Sequence, residues 1–184
     1  MNISNKKSDY WLWENKISIK EIKEINNKIK NSISLGQDIP ASSFKNAKVK
    51  VIEYSNIESL MHSYIKHIYS INEQVFGYNL YPTLFLTCNY NIYDSKQKSE
   101  YNWHIDESPN HIFDIKLTAI FNLSEKKYQG GEFSLFKNKG SIIQNFNKPG
   151  DILLFKSYIP HKVNPILKGI RNTLTIFLTG PKFQ

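Results

Sequence analysis

The N-terminal part of the chain repeats its apolar residues at helical intervals, and the remainder repeats them at the shorter interval of a strand. Ile19, Ile22, Ile25 and Ile29 recur every three or four positions with Lys and Glu between them, so they share one face of an amphipathic helix ending near Asn31. Ser18 and Glu21 stand at capping-box spacing, which satisfies amide groups that a helix start leaves orphaned. Gly36 and Pro40 then mark a loop, and a Val-rich segment spans residues 48–53. Leu60, Met61, Tyr64, Ile65 and Ile68 form the apolar stripe of a second helix, with Ser55 and Glu58 as its expected capping box.

From Tyr81 onward, short runs rich in Thr, Phe, Ile and Leu alternate with Gly, Pro and Asn. Such runs read as strands, because branched and aromatic side chains pack well on a pleated surface while the intervening residues favour turns. Predicted strands cover residues 83–90, 101–106, 117–123, 131–136, 142–146, 151–155, 161–164 and 171–178. Helices followed by strands argue for an α+β fold, a β-sandwich or barrel with helices packed on one outer face. A single domain over residues 1–184 is expected, with 1–80 a mainly helical support and 81–184 the strand-built core.

Composition changes this picture little. Of 184 residues, 40% are hydrophobic and 14% aromatic, enough for one well-filled core. No run approaches the roughly 18 to 20 apolar residues that a membrane span needs, and the N-terminus lacks an apolar stretch of secretory type. Cys88 is the single cysteine and reads as a small buried hydrophobe, which fits a reducing compartment or a fold that needs no disulfide. A cytoplasmic protein without membrane contact is therefore expected.

Charge carries more. The formal net charge is +8, yet residues 1–50 hold ten Lys against five acids, leaving 14 cations against 11 acids beyond. Solvated helix faces account for that excess, and a phosphate-tracking groove would mix Arg with Lys, so nucleic acid is disfavoured as a partner. Among 24 cationic side chains the only Arg is Arg171. A guanidinium presents a rigid two-pronged fork that a flexible ammonium cannot copy, which marks Arg171 as a candidate carboxylate site.

His104 and Asp106 stand two apart on the predicted strand 101–106, so alternation sets both on one face. Downstream, Lys148-Pro149-Gly150-Asp151 reads as a tight turn feeding a strand, and His161 follows Pro160. Two imidazoles and one carboxylate on one face of an octahedron are the arrangement by which non-haem Fe(II) oxygenases keep coordination positions open. Arg171 and Thr173 face one way on the last strand, while Leu174, Ile176 and Leu178 face the other.

These residues resemble the Fe(II)- and 2-oxoglutarate-dependent dioxygenases, in particular the prolyl 4-hydroxylase-like branch. The resemblance covers residues 90–180 and rests on Tyr101-x-x-His104-x-Asp106, on Tyr128-Gln129-Gly130-Gly131-Glu132-Phe133, on Lys148-Pro149-Gly150-Asp151 with Phe155, and on His161 to Pro165 with Gly169-Ile170-Arg171. It implies a double-stranded β-helix core of jelly-roll, cupin-like type with the N-terminal helices packed on one sheet. His104, Asp106 and His161 would hold Fe(II). Arg171, helped by Thr173, would bind the 5-carboxylate of the co-substrate 2-oxoglutarate, with a tyrosine as a further anchor. Tyr90 is the first choice for that tyrosine and Tyr93 the competitor, because residues 91–100 read as a long connection that could form a lid. Thr118 and Asn122 share a strand face and could line the pocket, and Tyr101 resembles a position near the substrate. His111 stands as a loop residue and a candidate substrate contact, His62 and His67 as surface or core-edge residues of the second helix, and the Tyr128 to Glu132 element as a turn without catalytic duty.

The implied reaction consumes 2-oxoglutarate and O2, with ascorbate as an optional reductant, and releases succinate and CO2 as a substrate C–H bond is hydroxylated. A peptidyl proline is the favoured target, which makes a proline-containing peptide or protein the expected partner. Lysyl side chains, a free small molecule, or a cupin-like binding module without turnover are the alternatives. Nucleic-acid demethylases of this kind typically carry a second Arg six residues after the first, where this chain has Phe177.

Overall fold

In the computed structural model, which describes residues 8–35, 44–82, 86–108, 112–137 and 140–183, Ser18 starts helix α1 (Ile19–Asn31) with both halves of its capping box made. Ile22, Ile25 and Ile29 are buried, while Ile19, the first residue of the helix, stays 45% exposed. Helix α2 (Glu58–Ile71) begins differently from expectation. The capping residue is Ile57, without a side-chain hydrogen bond, and Ser55 Oγ donates instead to Glu53 Oε2 at 3.2 Å. A 3₁₀ turn over Tyr54–Asn56 precedes the helix. Tyr54 and Ile57 are 3% and 0% exposed, so apolar burial pins this entry, and short-range backbone bonds serve the first amide groups in place of a hydroxyl. The Gly36 and Pro40 loop, the start of the predicted strand 83–90 and His111 lie outside the described residues.

The strands are β1 (Tyr10–Trp13), β2 (Lys48–Glu53), β3 (Thr87–Asp94), β4 (Tyr101–His104), β5 (Asp114–Asn122), β6 (Gln129–Gly130), β7 (Phe133–Lys137), β8 (Gly140–Gln144), β9 (Ile152–Lys156), β10 (His161–Val163), β11 (Ile166–Lys168) and β12 (Ile170–Gly180). They form a six-stranded sheet in the order β1-β9-β5-β12-β3-β2, a four-stranded sheet in the order β4-β10-β7-β8, and the small pair β11-β6. Neighbouring strands run antiparallel. This is the double-stranded β-helix, with α1 and α2 on the outer face of the larger sheet. Strand β1 escapes the alternation rule because Tyr10, Trp11, Leu12 and Trp13 are all apolar.

Alternation along the central strands separates two cores. Tyr90, Leu117, Phe121, Leu174, Ile176 and Leu178 face the helices and pack with Ile22, Ile25, Met61 and Ile68. Each fully buried Ile or Leu there contributes on the order of 2 kcal/mol. The opposite face meets the smaller sheet through Tyr93, Ile120, Phe133, Leu153 and Phe155, and the polar residues of that inner face line a pocket. Cys88 is fully buried on the helical side. No helix among the described residues is long and apolar enough to cross a membrane.

Two expectations change at β3. The strand continues to Asp94, and only a 3₁₀ turn over Ser95–Gln97 and the left-handed Lys98 (φ 48°) separate it from Tyr101. Residues 91–100 are therefore half strand and half tight turn, closed by Ser99 N–H donating to Asp94 O at 3.1 Å.

Candidate metal and carboxylate site

Strand pairing brings two of the predicted ligands together before any side chain is considered, since His161 on β10 sits directly opposite His104 at the end of β4. Asp106 lies two residues past the end of β4, where its amide N–H donates to Ser157 O at 3.0 Å. A backbone tether after the strand, rather than pleat alternation within it, brings the carboxylate to the histidines. One ligand atom from each of His104, Asp106 and His161 lies within 4.8 Å of the others. His104 Nε2 is 3.8 Å from Asp106 Oδ1, and His161 Nε2 is 3.5 Å from Asp106 Oδ2.

The surroundings prepare these groups for a cation. His104 Nδ1 is 2.7 Å from Asn102 O and His161 Nδ1 is 2.9 Å from Ile159 O. A carbonyl can only accept, so each Nδ1 carries the proton and each Nε2 keeps its lone pair toward Asp106. Burial lowers the pKa of both imidazoles to about 4, and for His104 the nearby His161 adds to the effect. Both rings are therefore neutral at pH 7. Burial raises the Asp106 pKa, opposed by the hydroxyl of Thr118, which donates to Oδ2 at 2.6 Å. Tyr101 stacks on His104 with centroids 3.5 Å apart, and Phe155 packs on His161 at 4.7 Å. Oriented neutral imidazoles beside a buried carboxylate suit a divalent first-row metal.

The same pocket contains Arg171, Thr173, Thr175 and Phe177 from β12, Asn89, Asn91 and Tyr93 from β3, and Lys45, and it encloses about 470 Å³ with its mouth included. Arg171 is 1% exposed. Its guanidinium lies 5.3 Å from the centre of the Tyr93 ring and 5.5 Å from that of Phe146. Nε donates to Tyr128 Oη at 3.2 Å, but Nη2 finds no hydrogen-bond partner among the described residues. A buried cationic donor left this way is costly unless an anion completes it. The arrangement fits a carboxylate entering from the pocket.

Tyr90 is not part of this pocket. It is 2% exposed on the helical side, with Oη donating to Asn26 Oδ1 at 3.0 Å. Because β3 pairs Tyr93 with Arg171 and Asn91 with Thr173, the odd-numbered residues face inward, and Tyr93 rather than Tyr90 lines the pocket beside Arg171. Burial lifts the Tyr93 phenol to about 12, against the pull of Arg171, so it remains a hydrogen-bond donor. Thr173 lines the pocket and its hydroxyl accepts from Asn91 Nδ2 at 3.4 Å, while Thr118 lines it beside Asp106. Asn122 sits behind the pocket and donates to Tyr128 Oη at 2.9 Å.

The Tyr128 to Glu132 turn does more than reverse the chain. Gly130 and Gly131 have φ of 77° and 69°, and a Cβ on Gly131 would come within 2.3 Å of Ile166 and 3.3 Å of the Arg171 side chain. Glycine there allows the turn to close against Arg171, and Tyr128 Oη accepts from both Arg171 and Asn122. The sequence hint was the tyrosine beginning a glycine turn; its contact with a residue 43 positions away is visible only in three dimensions.

Known proteins bear on these observations in two ways. The sequence profile of the 2OG-Fe(II) oxygenase superfamily matches residues 88–179, which spans β3 to β12. No curated protein sequence matches the chain at a significant level. Among solved structures, a Pseudomonas putida prolyl-4-hydroxylase superposes with a TM-score of 0.72 at 17% identity, covering 95% of this chain and 94% of its own. A Trichoplax adhaerens prolyl hydroxylase, solved in complex with a hypoxia inducible factor oxygen degradation domain peptide fragment, gives 0.72 at 17% identity over 95% and 84%. The carbocyclase SnoK from nogalamycin biosynthesis gives 0.68 at 13% identity over 95% and 81%. At these identities the structures speak for a common fold that serves different reactions. With the profile spanning half the sequence, the chain belongs to the 2OG-Fe(II) oxygenase superfamily, whose members are dioxygenases using Fe(II), 2-oxoglutarate and O2.

Proposed function

We propose that His104, Asp106 and His161 hold the iron, that Arg171 receives the distal carboxylate of 2-oxoglutarate, and that the substrate is a peptidyl proline in an extended segment. The observation that carries the site assignment is the buried, unfilled Arg171 Nη2 in the same pocket as the three-ligand cluster. Iron with 2-oxoglutarate and O2 supplies the oxidising power for an unactivated C–H bond, with succinate and CO2 released.

The chain's own part is orientation and exclusion of water. The carbonyls of Asn102 and Ile159 keep each histidine in the tautomer whose Nε2 can ligate. Thr118 holds the Asp106 carboxylate. Tyr93 and the Thr173 hydroxyl flank the seat of the distal carboxylate, while Ile120, Phe133 and Val163 wall the pocket with apolar surface. Tyr128 positions Arg171 without entering the pocket. Tyr128→Phe is accordingly expected to raise the KM for 2-oxoglutarate by about tenfold with kcat little changed, the loss of one hydrogen bond to a charged group. An equal fall in kcat at unchanged KM would assign Tyr128 to a different step.

A groove next to Asp106 supports a peptide target. Ile105, Tyr158 and Phe183 border it and are 38%, 46% and 49% exposed. Its aromatic faces, set among the charged Glu107, Asp114 and Lys182, suit a pyrrolidine ring within a polar peptide backbone, and the resemblance to prolyl hydroxylases, one of them with a bound peptide, points the same way. The test is anaerobic reconstitution with Fe(II), then exposure to O2, 2-oxoglutarate and ascorbate with a panel of proline-containing peptides. Succinate formation matched by a mass gain of one oxygen on a proline is the expected result. Mass gain confined to lysyl peptides or free amino acids would reassign the target, and no succinate under any condition would mark a binding module.

A further inference from the structure

Lys45 was not singled out by its sequence, yet its ammonium lies in the pocket with the ligand cluster and Arg171. The segment that carries it is firmly placed. An isolated bridge pairs Lys45 with Tyr101, Phe44 O accepts from Asn102 N–H at 2.9 Å, Asn46 N–H donates to Glu100 O at 3.3 Å, and Asn46 Nδ2 donates to Gln97 O at 3.2 Å. Its side chain then crosses the Tyr101 ring, with Nζ 4.5 Å from the centroid, and donates to Asn91 Oδ1 at 2.9 Å.

Register locates that charge. On β12, Arg171 pairs with Tyr93 and Thr173 with Asn91, while Phe177 pairs with Thr118, which holds Asp106. Residues two apart on a strand are separated by about 6.6 Å. An ammonium bonded to Asn91 therefore stands about one pleat from the level of Arg171, on the side toward the metal ligands. The pocket thus presents two cations at different levels of the sheet, and 2-oxoglutarate is a dianion with a carboxylate at each end of a short chain. Burial brings the Lys45 pKa down to about 8 against the pull of Asp106, so the ammonium is still charged at neutral pH and can meet an anion entering the pocket.

We infer that Lys45 is a second cationic contact for the co-substrate, made with the carboxylate at its oxo-acid end, so that the pocket reads both ends of the dianion. The inference rests on the proposed seat of the distal carboxylate at Arg171. Neither cation need touch the target, so this contact acts on co-substrate binding and not on substrate choice.

Calorimetric titration of Mn(II)-loaded protein tests it, with two ligands: 2-oxoglutarate, and 2-oxobutanoate, which keeps the oxo-acid end but lacks the distal carboxylate. Lys45→Met and Lys45→Gln are expected to weaken both ligands about tenfold with Mn(II) affinity unchanged; Arg171→Lys should weaken 2-oxoglutarate alone. Lys45→Arg should keep most of the affinity. Unchanged binding of 2-oxoglutarate in both neutral variants overturns the inference, as does weakening of 2-oxoglutarate without 2-oxobutanoate, which would move Lys45 to the distal end. Loss of Mn(II) affinity in both neutral variants would reduce Lys45 to support for Tyr101 and His104 and also overturns it. If Arg171→Lys changes neither ligand, the proposed seat at Arg171 fails while the Lys45 comparison still reads; if the wild type binds neither ligand, both fail.

Discussion

Asp106→Ala or His104→Ala is expected to leave no measurable turnover, to weaken Fe(II) binding, and to leave the fold intact. The three ligand atoms lie within 4.8 Å of one another, and removing one leaves two, too few to fix a metal with a defined open face. The loss of affinity should exceed the roughly 10- to 100-fold that mutation of a merely supporting residue costs. Stability should behave differently. Burial raises the Asp106 pKa and lowers that of His104, so the fold holds these groups against their preferred solvation and gains little from their charge. Loss of the Thr118 hydrogen bond and of the Tyr101 stack are the structural costs. Anaerobic Fe(II) titration, succinate assay and a melting curve of metal-free protein together check all three statements. Wild-type activity in either variant would remove the metal assignment.

Arg171→Lys should retain iron but raise the KM for 2-oxoglutarate by roughly 10- to 100-fold, the range expected for a lost charge-assisted hydrogen bond. The substitution keeps the positive charge and loses the fork. In the protein, Nε donates to Tyr128 while Nη2 has no hydrogen-bond partner among the described residues, and a single ammonium cannot keep the first contact and also serve a carboxylate. The ring faces of Tyr93 and Phe146, 5.3 and 5.5 Å from the guanidinium carbon, also favour a flat cation over a tetrahedral one. Fe(II) affinity should not change, because Arg171 touches none of the three ligands. Steady-state kinetics with varied 2-oxoglutarate and an independent Fe(II) titration decide the matter, and an unchanged KM would mean that Arg171 has another job.

How much was readable in advance varies with the range of the interaction involved. Helix α1 with its Ser18 and Glu21 box, the change from helical to strand periodicity and the alternation of β12 are local, and each follows from residues a few positions apart. The α2 start failed because a hydroxyl at the right spacing competes with burial of Tyr54 and Ile57, and burial depends on what packs above. The choice between Tyr90 and Tyr93 turned on where β3 ends. Since side chains alternate with a period of two, ending the strand four residues early gives no account of Tyr93 and draws attention to the tyrosine on the wrong face.

The chain by itself determined the inventory: which side chains could bind a metal, which one could fork a carboxylate, and that a helical layer would cover a strand-built core. Those are properties of residue type and short-range periodicity, and they survive without coordinates. Only the tertiary structure decided which of those groups meet. His104 faces His161 because β4 and β10 pair, Asp106 joins them through a tether to Ser157, Tyr128 reaches Arg171 across a glycine turn, and Lys45 enters the pocket from a segment stitched to residues 97–102. Strand pairing between distant segments is set by the packing of the whole core, and no local pattern encodes it.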